Sequence, residues 1–128
     1  MKILGSAILG ALMMTGSAFA ADLVDGTWEC GVKAADGVVR PLIATFKSDG
    51  MTLTGTVNGM NGQADIEIFE AMNHGTEVMW SSKRPIQGGT VQFDYRGTIE
   101  GKDNKEMKIQ ITRADGKGEP MSCVAKKK

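Results

Sequence analysis

Two cysteines do most to limit what this chain can become. Cys30 lies in the first strand-like run, Gly26-Thr27-Trp28-Glu29-Cys30, and Cys123 lies in the last. A bond between them makes the first and last strands neighbours, so the strands between must form a sheet that closes on itself. Such a bond needs an oxidising compartment, and the N-terminus carries the matching address. Lys2 is a short basic region, residues 3–14 are apolar, and Ala18-Phe19-Ala20 ends the run as a small-x-small cleavage site. Residues 1–20 therefore read as a signal peptide and residues 21–128 as one exported domain, periplasmic or secreted. The apolar run is shorter than the ~18 residues of a spanning helix, so no transmembrane segment is expected in the mature chain. Two cysteines allow one internal pairing, and they lack the C-x-x-C spacing of a redox pair. A structural Cys30–Cys123 staple is the expectation, and it suits a domain this small.

The mature chain shows no helical periodicity, and its three prolines and 14 of the chain's 17 glycines punctuate runs that alternate with period two. Residues 26–33 set Trp28, Cys30 and Val32 on one face. Residues 38–47 set Leu42, Ala44 and Phe46 on one parity, with Pro41 marking a bulge or an edge. Residues 51–57 carry their threonines outward, and residues 63–70 alternate around Ile66 and Ile68. Residues 71–75 read as a loop, 77–82 as a strand and 84–89 as a break. Val91, Phe93 and Tyr95 share a face in residues 90–99. Residues 105–113 alternate most regularly, with Met107, Ile109 and Ile111 inward, and residues 119–125 hold Cys123. Asp36-Gly37, Asp49-Gly50 and Asp115-Gly116 suit tight turns. The fold class is all-β: a single antiparallel up-and-down barrel of about eight strands following the leader.

Gly26-Thr27-Trp28 opening the first strand, with Leu53-Thr54-Gly55-Thr56 in the third, resembles the calycin group of lipocalins and avidins. The likeness is to its short exported lipocalin-like domains, and it spans most of the mature chain as a pattern. It implies that Trp28 closes the barrel floor. The chain has no room for the helix that flanks a full lipocalin. Where avidins place a polar ligand contact after Gly-x-Trp, this chain has Glu29-Cys30-Gly31, so the resemblance does not imply biotin binding.

Charge and motifs exclude several functions. The chain has 15 basic and 15 acidic residues, and removing Lys2 with the leader leaves a net charge of about −1. That gives no electrostatic case for nucleic acid. Lys126-Lys127-Lys128 reads as a solvated tail. One histidine, His74, would need Glu70 or Glu77 as an orienting partner to act as a base, and Asp65 and Glu67 read as solvated. No nucleophile elbow, phosphate loop or metal-spaced set is present. No catalytic residue, metal or cofactor is assigned.

Binding is the better-supported class. An eight-stranded barrel is either filled by side chains or holds one small ligand. Inward Trp28, Phe46, Leu53, Trp80, Phe93, Tyr95, Met107 and Ile109 fit both alternatives. Arg40 shares parity with Leu42, Ala44 and Phe46, which aims it at the barrel mouth, where a charge needs a counter-charge. Arg40, Trp80, Phe93 and Tyr95 are the candidate ligand-binding residues, for a small, largely apolar ligand with an anionic end. The alternative is an inhibitor or envelope accessory factor that recognises a protein partner through residues 72–75 and 84–89. A third reading is a cofactor-free enzyme with His74 or Tyr95 as proton carrier.

Overall fold

The computed structural model describes residues 23–59 and 63–128, and the expected leader lies outside the described residues. The alternating runs form β1 (Gly26–Lys33), β2 (Val39–Asp49), β3 (Thr52–Val57), β4 (Ile66–Glu67), β5 (Phe69–Asn73), β6 (Glu77–Ile86), β7 (Gly89–Glu100), β8 (Glu106–Arg113) and β9 (Met121–Lys127). All pairings are antiparallel, and β9 returns to β1 to close the sheet. β4 and β5 are halves of one interrupted strand beside β3, so the closed up-and-down barrel has eight staves. Among the described residues there is no helix.

Even-numbered positions of β1 and β2 face inward: Trp28, Cys30, Leu42, Ala44 and Phe46 are all buried. On β8 the inward set is Met107, Ile109 and Ile111. Two glycines make the packing possible. A Cβ on Gly55 would collide with the Thr45 carbonyl, and its φ of 154° disfavours other residues. A Cβ on Gly97 would come 2.5 Å from the Met107 sulfur.

Three expectations need correction. Residues 71–73 belong to β5, where Met72 pairs with Thr52 on one side and Met79 on the other. A register shift between Phe69 and Met72, with Glu70 at φ 48°, breaks the alternation and hides this strand from a period-two reading. Residues 84–89 are not a break. β6 runs through Pro85 to Ile86 and turns over Gln87-Gly88, with Pro85 opposite Thr90. β5 stops pairing at Ser81, so the missing Pro85 N–H faces an uncovered edge. Nor is the C-terminus a tail: Lys126 and Lys127 belong to β9, although the Lys126 and Lys128 side chains are solvated as expected. Lys126 pairs with Glu106 at 3.4 Å, Lys128 pairs with Glu29, and the Lys127 ammonium lies 5.7 Å above the Trp28 ring.

Pro41 does sit at an edge. β3 stops opposite Ala44, and beyond it the Asn58 side chain takes over the ladder. Its oxygen accepts from the Ile43 amide at 2.8 Å and its nitrogen donates to the Pro41 carbonyl at 3.0 Å.

The up-and-down path gives the barrel two different ends. At the base, residues 23–25 tuck in, the Trp28 indole donates to the Val24 carbonyl at 2.9 Å, and the tight β2–β3, β5–β6 and β7–β8 turns gather. Trp28 and Val24 are fully buried there. At the mouth are the β1–β2, β6–β7 and β8–β9 turns.

Candidate functional site

The barrel is filled at the base and hollow at the mouth. An aromatic plug divides the two: Phe46 meets Trp80 edge-on at 4.7 Å between centroids, and Trp80 stacks on Tyr95 at 5.1 Å. Above the plug is a cavity of about 270 Å³, close to the lower size of small-molecule sites. Its wall is apolar and comes from five strands: Val32 of β1, Leu42 of β2, Val91, Phe93 and Tyr95 of β7, Ile111 of β8 and Met121 of β9. Phe93 and Met121 are only half-buried, as expected of side chains with one face on a hollow.

Three guanidiniums rim this cavity. Arg40 begins the inward parity of β2, Arg84 is followed on that of β6 by Ile86 alone, and Arg113 ends that of β8. Their partners differ. Arg40 bonds Asp36 at 3.1 Å, and Arg113 holds both oxygens of Asp115 at 3.2 and 2.8 Å. Arg84 donates to the Asn58 carbonyl at 3.0 Å and has no carboxylate partner among the described residues. The Val38 amide, with the Arg40 guanidinium second, holds the Asp36 carboxyl below its ordinary 3.8. The Arg113 guanidinium, with the Lys117 amide second, does the same for Asp115. Both rim carboxylates are thus anionic and occupied, and Arg84 is the rim cation left for another anion.

Of the four candidate binding residues, Arg40, Phe93 and Tyr95 line the cavity together, and Trp80 does not. Trp80 lies in the plug, 1% exposed, and its indole N–H has no hydrogen-bond partner among the described residues. The Tyr95 hydroxyl is shared with Ser82 at 3.0 Å, in the buried interior. Arg84 and Arg113 join Arg40 on the cavity rim beyond the sequence expectation. Arg113 shares parity with Met107, Ile109 and Ile111, so that signal was present. Arg84 carries no such signal, because Pro85 reads as the end of a strand.

The residues of the other two readings lie at different ends of the barrel. His74 is exposed in the β5–β6 turn at the base, where its backbone N–H donates a hydrogen bond to the Glu77 carbonyl, while Tyr95 faces the mouth cavity. Residues 72–75 and 84–89 likewise belong to opposite ends of the barrel.

No protein-family model and no curated protein matches the chain. Two solved structures share its fold. One redesigned beta barrel superposes with a TM-score of 0.64 at 18% identity, covering 85% of this chain and 95% of its own. The redesigned beta barrel mFAP1, bound to DFHBI, superposes with a TM-score of 0.57 at 15% identity, covering 85% and 98%.

Proposed function

We propose that this protein is an exported, lipocalin-like carrier that takes a small, largely apolar ligand with an anionic end into the mouth cavity. The observation that carries the reading is an apolar hollow whose rim holds one guanidinium without a carboxylate. The apolar body of the ligand would rest on Phe93, Tyr95 and Ile111. Its anionic group would meet Arg84, which among the described residues bonds only a backbone carbonyl, with Arg40 and Arg113 reinforcing the field. Trp80 would contribute from below, by fixing the Tyr95 ring that floors the cavity. The barrel bound to DFHBI supports the reading in outline, because the same architecture there accommodates a small molecule. Export is supported by the leader pattern and by the Cys30–Cys123 bond.

Native mass spectrometry of the mature protein from its own compartment tests this directly, with a denatured run beside it. The expected result is a small adduct in the native spectrum alone, lost or weakened in Arg84→Ala. A bare native protein that also fails to bind an apolar sulfonate such as anilinonaphthalene sulfonate would overturn the proposal.

A further inference from the structure

The mouth end carries two features that a ligand cavity does not require. The first is exposed aliphatic side chains at the tips of its turns. Val38, Val39 and Ile86 are 49%, 62% and 50% exposed, and they flank the cavity from the β1–β2 and β6–β7 hairpins. The second is an excess of cations just behind those tips. Lys33 and Lys83 are exposed, and with Arg84 they have no carboxylate within ion-pairing distance among the described residues. Lys83 is also held over the Phe69 ring at 5.5 Å. Lys117, in the β8–β9 turn, is a fourth such cation; against these four, Asp36 and Asp115 are already held by arginines, which leaves Asp65, Glu67 and Glu119 as the other carboxylates of this end, an excess of one cation.

We infer that the mouth end docks on the surface of an anionic lipid bilayer, and that the ligand passes between bilayer and cavity there. The inference rests on the carrier reading above. Short aliphatic tips enter the boundary between headgroups and acyl chains, and cations a residue or two behind meet the lipid phosphates. Charge complementarity favours this occupant, and so does the open cavity between the tips. A protein partner on the same surface would plug the hollow, whereas a bilayer covers its opening with the phase in which an apolar ligand dissolves. Docking also spares the ligand a passage through water, where its apolar surface would be hydrated.

Sedimentation with vesicles tests the inference, using the mature disulfide-bonded protein. One set would contain phosphatidylglycerol with phosphatidylethanolamine, the other phosphatidylcholine alone. The expected result is at least a roughly tenfold preference for the anionic vesicles that fades as salt rises. Lys33→Glu and Lys83→Glu should each lower partitioning, by about fivefold per positive charge removed, and Val38→Asp should lower it as well. None of these three side chains lines the cavity, so uptake of anilinonaphthalene sulfonate from solution should be unchanged in all of them. Equal partitioning into both vesicle types would overturn the inference, as would partitioning indifferent to the three substitutions. Retention on immobilised polyglutamate without vesicle binding would assign the face to an acidic protein and overturn it too. Probe uptake without vesicle binding would remove the docking and leave the carrier reading standing. Vesicle binding without probe uptake would remove the carrier reading instead.

Discussion

At the residue scale, what separates the three rim arginines is who already holds them. Arg40 and Arg113 each face an aspartate, whereas Arg84 faces a carbonyl. A ligand anion at Arg84 displaces no carboxylate, while one at Arg40 competes with Asp36. Arg84→Ala should therefore raise the Kd for an apolar anion about ten- to hundredfold, and Arg40→Ala should raise it less. Isothermal titration of both variants checks the order. The aspartates give a second prediction. Each carboxyl is lowered from 3.8 on folding, so its contribution to stability is present above that value and is lost as pH falls through the lower folded value. NMR titration should place both midpoints below 3.8, with the Val38 and Lys117 amides shifting along with their acceptors. Arg40 and Arg113 could be placed on the inward face from sequence parity alone. Their pairing with Asp36 and Asp115 could not, because it depends on how each turn folds back on its strand.

At the element scale, the sheet closes on itself through a short ladder between β1 and β9. Their ladder has two rungs, Trp28 opposite Lys127 and Glu29 opposite Lys126. Beyond Glu29 the strands continue toward the mouth with the Cys30–Cys123 bond between them, its Cα atoms 6.1 Å apart. The bond joins residues 93 apart in sequence, and removing such a long-loop staple from a small domain costs about 2–5 kcal/mol. A Cys30→Ala/Cys123→Ala protein should melt at least roughly 10 °C lower in a calorimetric scan. Its amides at residues 31–33 and 121–124 should exchange faster before those of the β7–β8 hairpin do. A second element depends on one small residue. Gly97→Val should cost about 1–3 kcal/mol by overpacking against Met107 and Val78, measured by urea unfolding. The β6–β7 hairpin shows how an element escapes a sequence reading: a proline usually ends a strand, and only an uncovered neighbouring edge lets it stay.

At the scale of the whole molecule, the barrel is a polar object with a packed base and an open mouth. An apolar anion should therefore perturb amide shifts at Val32, Phe93 and Met121 and leave Gly50, His74 and Gly101 unmoved, although all six belong to the same closed sheet and its turns. Shifts confined to the base would reverse the assignment of ends. Strand count, the inward faces of β1, β2 and β8, and the closure implied by two distant cysteines were determined by the sequence itself. These follow from local rules: a side chain alternates across a strand, and a disulfide requires its strands to be neighbours. Three features were decided only by the tertiary structure: where the interior stops being filled, that Trp80 belongs to the plug rather than to the cavity wall, and that Arg84 is the rim cation without a carboxylate. Each depends on which side chains from different staves arrive at the same height, and that height is set by ladder register and by the shift between Phe69 and Met72. Alternation records which face a residue takes and is silent on its level along the barrel axis.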